Sequence, residues 1–202
     1  MWVRSEYANE LAVLSAWIAL LIPWNIASHT QEGEVFGEQV DNGIFFLRFP
    51  FGEVQFRSPA TIEIDGEAVT ADEPLDAAYA GVQAIGDIFV ATPPQGVGFY
   101  DGTLWQANLL WTGAAVAFGL AFVLSIALYV REDAVVERLS IQPVRLMGAL
   151  LGAGTLGLAG ASVLFYLERD TVGLPIPIGV VVIGALALVL LRTKSIENES
   201  VN

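Results

Sequence analysis

The sequence predicts an α-helical membrane protein: a four-transmembrane-helix bundle with a small extracellular β-rich (α+β) domain inserted between helices 1 and 2. Three observations predict this fold class. Only 15% of the 202 residues are charged and 54% are hydrophobic, whereas a soluble domain usually carries about 25% charged residues. Four stretches of the chain contain no charged residue at all. Nearly all of the net charge of −13 falls in one further stretch, residues 29–106.

The uncharged stretches set the positions of the helices, because a helix crosses the bilayer core with about 20 apolar residues. Their cores are Leu11–Ser28, Ala107–Val130, Leu146–Leu167 and Leu174–Leu191. A buried helix of a soluble protein would account for one such run, but four in one short chain favour membrane spans. A cleaved signal peptide is the alternative for the first run, but no convincing small-x-small cleavage site follows it.

The chain therefore divides into eight segments. They are residues 1–28 (N-terminus and transmembrane helix 1), 29–106 (acidic extracellular domain), 107–130 (helix 2), 131–145 (cytoplasmic loop), 146–167 (helix 3), 168–173 (short outer loop), 174–191 (helix 4) and 192–202 (cytoplasmic tail). With the N-terminus inside, six of the nine Lys and Arg residues fall in inner segments and three in outer ones. The positive-inside rule then places both termini in the cytoplasm and residues 29–106 outside a multi-pass cell-membrane protein.

The extracellular segment has mostly strand-like patterns. Strands are expected at Ile44–Phe49, Val54–Arg57, Thr61–Asp65, Glu67–Thr70 and Ile88–Ala91. Pro50-Phe51-Gly52 and Asp65-Gly66 have the composition of hairpin turns between them. A short helix is expected over Leu75–Ile85, where apolar residues recur at helical spacing after Pro74. Thr92–Gly102 is expected to be a loop, because it contains two prolines and three glycines.

The acidity of residues 29–106 is extreme, with 13 acidic residues against 2 basic ones. Such a surface repels itself at low salt, and this repulsion largely disappears at molar salt, where the Debye length is about 3 Å. The pattern therefore favours a salt-loving organism with solvent cations around the domain. Calcium binding is the weaker alternative, because Glu63, Asp65 and Glu67 alternate along a strand and no D-x-D-x-D-G loop occurs.

Several chemistries are excluded by what the sequence lacks. It has no cysteine and one histidine, His29, so thiolate nucleophiles, iron–sulfur clusters and multi-histidine metal sites are absent. Without clustered Lys and Arg it is not a nucleic-acid binder. A proton or ion relay would require ionisable residues inside the membrane, but no charged residue lies in any span core. We therefore expect no catalytic residue, cofactor or resident metal, with His29 as a solvated boundary residue.

Two sets of residues are candidates for packing and interaction. Gly148, Gly152 and Gly157 form a smooth face on the third span, which allows close helix approach within the chain or, less often, between copies. Arg48 lies inside an apolar strand, where it would pair with Glu53 across the turn or reach lipid headgroups. The candidate interface residues are Arg48, Phe49, Phe51 and Trp105.

Several short motifs carry a resemblance. They are Trp2-Val-Arg-Ser-Glu-Tyr-Ala8, Leu21-Ile-Pro-Trp-Asn25, Phe46-Leu-Arg-Phe-Pro-Phe51, Tyr129-Val-Arg-Glu-Asp133, Pro143-Val-Arg-Leu146 and Pro175-Ile-Pro-Ile-Gly179. Over most of its length the chain resembles an uncharacterised family of four-span haloarchaeal membrane proteins. The resemblance implies habitat and topology but no activity. The layout is also similar to that of claudins, although their paired cysteines are missing, and fold does not imply function.

Three functions are compatible with these features. The first is a non-enzymatic membrane protein whose outer domain binds a protein partner or another copy of the chain, as a structural, adhesion or membrane-complex subunit. The second is a component of a transport or channel complex, which needs a wet path lined by groups such as Asn108, Thr112 and Thr155. The third is a membrane enzyme, which needs clustered acidic or Ser/His groups at the outer interface. The absence of charge from the span cores favours the first.

Overall fold

The computed structural model of the protein describes residues 3–4, 7–35, 38–58, 61–64, 67–70, 83–85, 88–139 and 141–194. Its helices are α1 (Ala8–Leu21), α2 (Pro93–Phe99), α3 (Gly102–Arg138), α4 (Pro143–Leu167), α5 (Arg169–Val172) and α6 (Ile178–Arg192). Its strands are β1 (Val3–Arg4), β2 (Asn25–Val35), β3 (Glu38–Phe49), β4 (Gly52–Arg57), β5 (Thr61–Ile64), β6 (Glu67–Thr70), β7 (Gln83–Ile85), β8 (Ile88–Ala91) and β9 (Thr193–Lys194).

Helices α1, α3, α4 and α6 form a bundle with a closely packed centre. The fully buried side chains at its centre include Phe118, Met147, Leu151, Leu158 and Ile183. Among the described residues, α3 and α4 are the two helices long and apolar enough to cross a membrane by length and composition. Helices α1 and α6 are apolar but shorter, with 14 and 15 residues.

The larger sheet is antiparallel, with strand order β6-β5-β3-β4-β8-β7 and with β2 paired to β3. Strands β3 and β4 are joined by a tight turn at Pro50 and Phe51, so that Phe49 lies opposite Gly52. Strands β5 and β6 pair with Ile64 opposite Glu67, which confirms the expected hairpin, although its turn residues lie outside the described part of the chain. This sheet packs against the ends of α3 and α4 that are remote from the residue 138–143 connection.

The first and last helices are shorter than the sequence predicts. The helix expected over Leu11–Ser28 ends at Leu21, because Pro23 lacks an amide proton and Asn25–Ser28 pair with strand β3 instead. The helix expected over Leu174–Leu191 begins at Ile178. Pro175 and Pro177 precede it, and Ile176 exchanges two backbone hydrogen bonds with Ile26, of 2.8 and 3.1 Å.

Three connections also differ from the expectations. The loop expected over Thr92–Gly102 contains helix α2, whose start is fixed by Pro93 and by the Gln95 side chain, which accepts a 2.6 Å hydrogen bond from the Thr92 amide. The inner loop expected at 131–145 is largely helical, because α3 continues past a kink at Arg131. Of the helix expected over Leu75–Ile85, the last three residues form strand β7, and residues 75–82 lie outside the described residues.

The two ends of the described chain meet. Strand β1 pairs in parallel with β9, with Val3 opposite Thr193 and Arg4 opposite Lys194. Residues 195–202 of the expected tail lie outside the described residues. This pairing places the start of α1 and the end of α6 at the same end of the bundle.

Candidate functional site

A buried ion pair lies where the sheet meets the bundle. The Arg48 Nε atom donates to a carboxylate oxygen of Glu53 at 2.5 Å, across the β3–β4 turn. Both residues are buried, with exposures of 2% and 5%. The pairing follows from the tight turn, because the register with Phe49 opposite Gly52 places Arg48 directly opposite Glu53. The expected pairing of Arg48 with Glu53 is thus confirmed.

The ion pair continues along β4 as a polar ladder of Arg48, Glu53, Gln55 and Arg57. The Gln55 amide donates to the second Glu53 oxygen at 2.5 Å, and Arg57 donates to the Gln55 carbonyl oxygen at 2.8 and 3.3 Å. Alternate residues of a strand share one face, so Glu53, Gln55 and Arg57 all point towards the same side of the sheet. All of them are buried, and each link of the ladder carries a charge-assisted or amide hydrogen bond.

The Arg48 guanidinium also connects the sheet to helix α4. It donates to the Asn25 side-chain oxygen at 3.2 Å. Its Cζ atom lies over the rings of Phe46 and Phe165, at 4.7 and 4.4 Å from their centroids. Cation–π contacts of this kind are strongest when the cation is desolvated. Arg48 therefore links strand β3 to the end of α4 through these contacts.

Two tryptophans complete this junction. The indole nitrogens of Trp24 and Trp111 donate to the carbonyl of Phe49 at 3.2 and 3.1 Å, and that of Trp111 also donates to the carbonyl of Pro50 at 3.0 Å. The two indoles pack edge to face, with centroids 5.5 Å apart. The carbonyl groups of the β3–β4 turn thus receive their hydrogen bonds from buried aromatic side chains rather than from water.

A small cavity borders the ladder and limits its chemistry. Its volume is about 20 Å³, and its walls include Arg48, Glu53, Tyr100, Asn108 and Trp111. This is enough for roughly one water molecule and far below the several hundred Å³ of an organic ligand site. Burial raises the pKa of Tyr100, the Glu53 carboxylate raises it further, and Arg48 and Arg57 oppose the shift. The Tyr100 side chain in the cavity wall is therefore neutral at physiological pH.

Comparison with known proteins adds one decisive finding. A family model described as a family of unknown function (DUF7549) matches residues 1–195. The chain belongs to this family. A comparison with curated proteins gave no significant match. The DUF7549 match covers both the bundle and the sheet, so the polar ladder and the tryptophan junction lie within the matched residues.

The candidate interface residues of this DUF7549 chain are not brought together as expected. Arg48 is buried in the ladder, so the expectation that it forms part of an outer interface is wrong; its partner Glu53 holds it on the inner face of the sheet. Phe49 is half-buried at the turn, whereas Phe51 is 45% and Trp105 39% exposed. Phe51 points along helix α3, where its ring lies 3.8 Å from a Cβ placed at Gly119.

The glycines of α4 pack against neighbouring helices of the same chain. A Cβ at Gly148 would lie 2.9 Å from the Leu191 nitrogen, and one at Gly157 would lie 3.1 Å from the Ala114 side chain. Gly152 is looser, at 3.9 Å from Ala187. By contrast, Gly113 of helix α3 has no heavy atom within 4 Å of its Cβ position.

His29 lies on strand β2 rather than just beyond a helix. It is half-buried and borders a shallow groove of about 430 Å³ that also contains Ser28, Arg57 and Ser58. Within the described part of the chain, no group of three or more His, Cys, Asp or Glu residues is arranged to hold a metal ion. Among the described residues of the groove, no serine hydroxyl is hydrogen-bonded to His29.

Two features of the site were not predicted from the sequence: the burial of the polar face of β4 and the partial exposure of the aromatic face opposite it. The alternation Glu53-Val-Gln55-Phe-Arg57 was a signal for a strand with a polar face, but its usual meaning is that the polar face is solvated. Here the polar face is buried and the other face is partly exposed. Phe45 and Phe56 lie opposite each other on that other face, each 41% exposed, with Ile88 beside Phe56 on β8.

Proposed function

We propose that the chain is a non-enzymatic integral membrane protein that spans the cell membrane four times. In this proposal the strand-rich acidic region at the outer surface binds a protein partner or a second copy of the chain, and the protein is a structural, adhesion or membrane-complex subunit. The observation that carries the membrane part is the large number of apolar side chains that are exposed on the outer surface of the bundle.

Helix α1 illustrates this exposure. Its buried side chains are Ala8, Ala12, Ser15, Ala16 and Ala19. The side chains of Leu14, Trp17 and Leu21 are exposed instead. Soluble proteins rarely leave contiguous apolar patches larger than a few hundred Å² uncovered. Contact of this apolar surface with lipid acyl chains carries no hydrophobic free-energy cost, whereas its contact with water does.

The two long helices support the same conclusion. In their most apolar 18-residue windows, only 28% of α3 and 33% of α4 is buried, whereas the core helix of a soluble protein would be mostly buried. Their exposed apolar residues include Leu109, Val116, Leu120, Val123, Ile126, Val130, Leu156 and Val163. These residues favour lipid as the surrounding medium of both helices.

The proposed topology places both termini in the cytoplasm. The pairing of β1 with β9 joins the two ends at one end of the bundle, as an even number of crossings requires. The same end contains Asn9, which donates a 2.6 Å hydrogen bond to Glu132, and the basic residues Arg145 and Arg192. The greater number of Lys and Arg residues in the segments at this end supports a cytoplasmic side.

A haloarchaeal origin is the finer part of the proposal. It is supported by the sequence motifs and by the 13 acidic residues in positions 29–106, against 2 basic ones. Such a charge density is stable where salt screens it. Solvent cations, rather than a resident metal, would then surround the outer region.

The partly exposed face of the sheet is the candidate contact for the partner. Phe45, Phe56 and Ile88 stand side by side across strands β3, β4 and β8. The rings of Phe45 and Phe56 have centroids 6.2 Å apart. Exposed aromatic clusters within a polar surround are typical of the energetic centres of protein interfaces. We name these three residues the aromatic strip.

The test is the assembly state of the full chain, expressed in a halophilic host and gently solubilised at high salt. The wild-type protein is expected to sediment as a complex larger than the monomer. The double variant Phe45→Ser/Phe56→Ser should sediment as a monomer with unchanged circular dichroism. Ile141→Ser, which removes an exposed apolar side chain at the opposite end of the bundle, is the matched control and should behave as wild type. A monomeric wild-type protein would contradict the proposal.

The transport alternative lacks support from the polar groups that it needs. The Thr112 and Thr155 hydroxyls donate to carbonyls of their own helices at 2.8 and 2.7 Å, and the Asn108 amide donates to the Leu104 carbonyl at 2.9 Å. Each of these groups thus donates its hydrogen bond within its own helix, and none of these bonds links two helices. The side chains of Phe118 and Ile183 are fully buried within the bundle.

A further inference from the structure

Two of the four bundle helices are too short to cross a bilayer. At about 1.5 Å per residue, α1 and α6, with 14 and 15 residues, each span roughly two thirds of the 30 Å hydrocarbon core. Helices α3 and α4 are long enough. If the membrane proposal holds, something other than helix must complete the wall of the bundle on the side remote from the paired termini.

Three non-helical pieces occupy that place. Beyond the end of α1 lies the extended start of β2, and before α6 lies the extended segment 174–177, which is bridged to β2 at Ile176. Between them and α3 lies the tip of the β3–β4 hairpin, Phe49–Gly52. Phe51 of this tip lies over Gly119, 17 residues into helix α3.

The depth of the tip follows from this contact. Gly119 is about 18 Å along the helix axis from Arg131, where the charged end of the bundle begins. Trp111, whose indole binds the turn carbonyls, is about 30 Å from Arg131 by the same measure. A bilayer core of about 30 Å that starts near Arg131 therefore contains the hairpin tip in its outer half.

The backbone of these pieces is suited to such a position. In hydrocarbon every polar backbone group needs an internal partner, and irregular backbone is tolerated only where protein supplies one. Ile26 and Ile176 exchange both of their backbone hydrogen bonds, and the Trp24 amide donates to the Arg48 carbonyl at 2.8 Å. Trp24 and Trp111 supply the donors for the turn carbonyls.

The outward side chains at this level are apolar. Leu21, Phe51, Leu174 and Ile176 are all exposed, and Val116 of α3 is exposed next to them. We name these five residues the outer collar. The collar is continuous with the exposed apolar surface of α1 and α3, so the same medium would contact both.

We infer that the tip of the β3–β4 hairpin is inserted in the outer leaflet, where Phe51 and Ile176 contact lipid acyl chains. The sheet is thus anchored in the membrane by its tip, whereas the sequence predicts that residues 29–106 lie outside it. This inference rests on the proposed membrane function. Its partner is the lipid acyl chain, and the aromatic strip, which lies farther along β3 and β4, remains outside for the protein partner.

Because the chain contains no cysteine, a single introduced cysteine is the one site that a thiol-reactive label modifies. Full-length Phe51→Cys, Ile176→Cys, Val123→Cys and Ser58→Cys variants are nitroxide-labelled and reconstituted in phosphatidylglycerol vesicles at high salt. Power saturation with oxygen and with a water-soluble nickel chelate then reports the depth of each label. Positions 51 and 176 should give oxygen-rich, nickel-poor signals at a depth of about 10 Å below the outer boundary.

The two controls separate the inference from the membrane proposal. Val123 tests whether α3 faces lipid, and Ser58, at the far end of β4, should be accessible to nickel. Nickel access at 51 and 176 together with a lipid signal at 123 overturns the inference and leaves the membrane proposal standing. Low access to both reagents at 51 and 176 would also overturn it, because it would indicate a protein-covered surface. Nickel access at position 123 overturns both the inference and the membrane proposal. Two collar positions are labelled so that the test still works if one variant does not fold.

Discussion

The indole nitrogen of Trp111 donates a hydrogen bond to the carbonyl of Phe49, 62 residues earlier in the chain, at 3.1 Å. It also donates to the Pro50 carbonyl at 3.0 Å. A helix side chain thus supplies the donor that a hairpin turn at the protein surface would obtain from water. The contact fixes the height of the sheet on the bundle, and its removal has a calculable consequence.

Trp111→Phe keeps most of the ring packing but removes the donor. The Pro50 carbonyl loses the indole donor, whereas the Phe49 carbonyl keeps Trp24. A buried acceptor left without a donor costs about 1–3 kcal/mol, so thermal unfolding in detergent should show a loss of that size. Trp105→Phe, at a 39% exposed position, is the control and should change the free energy of unfolding by less than about 0.5 kcal/mol. Equal effects of the two variants would contradict the assigned role of Trp111.

The Arg48–Glu53 pair should behave as a coupled unit. Glu53→Gln leaves the buried Arg48 cation without its carboxylate, which should cost about 3–5 kcal/mol. Arg48→Met/Glu53→Met removes both charges together, so its loss should be smaller than that of Glu53→Gln. Chemical unfolding of Arg48→Met, Glu53→Met and the Arg48→Met/Glu53→Met double variant gives the coupling energy. Additive losses would show that the two side chains act independently.

Helix packing at the α4 glycines should be sensitive to a single methyl group. A Cβ at Gly154 would lie 2.7 Å from the ring of Phe118, which is fully buried. Gly154→Ala should therefore destabilise the protein by about 1–3 kcal/mol. Gly113→Ala meets no atom within 4 Å and should stabilise helix α3 by about 0.5–1 kcal/mol. Opposite signs for these two alanine substitutions in thermal unfolding are the expected result.

Tyr100 should make the protein sensitive to alkaline pH. Burial and the Glu53 carboxylate raise its pKa above the ordinary value of 10.0. Above pH 10 the unfolded chain releases this proton before the folded protein does, so the free energy of unfolding falls as the pH rises. Tyr100→Phe should show a smaller loss of thermal midpoint between pH 9 and about 11. Parallel curves for the variant and the wild type would refute this contribution.

The salt dependence of stability should follow the charge of residues 29–106. Repulsion among its carboxylates grows as the Debye length rises from about 3 Å at 1 M salt to 10 Å at 0.1 M. The thermal midpoint of the full chain is expected to fall below about 0.5 M salt. A midpoint independent of salt would contradict the assignment of the acidity to a salt-adapted surface.

Local patterns predicted those parts of the fold whose partners are close in sequence. The β3–β4 hairpin and its Arg48–Glu53 pair depend on a turn of two residues, and the two strands of the β5–β6 hairpin are only two residues apart in the sequence. Short connections of this kind limit the possible registers. The α3 and α4 helices followed from uninterrupted apolar runs. In each case the residues that determine the element are within a few positions of one another.

Other features depend on partners far away in the chain. Ile22–Ser28 is uncharged and mostly apolar, which is compatible with both helix and strand. Asn25–Ser28 form a strand because they pair with Phe45–Arg48. The burial of Gln55 and Arg57 likewise depends on groups that cover the inner face of the sheet. Arg57, for example, lies 4.6 Å from the ring of Phe89, more than 30 residues later. No local pattern reports such contacts.

The parallel pairing of Val3–Arg4 with Thr193–Lys194 has a consequence for biosynthesis. A ribosome releases the first strand nearly 190 residues before its partner exists, so this contact forms only after translation has passed Lys194. The bundle is therefore closed as a ring in its last step, and loop-closure entropy makes that step slow compared with the local hairpins. Nascent chains truncated before β9 should consequently leave the start of α1 more accessible to proteases than the full-length chain does.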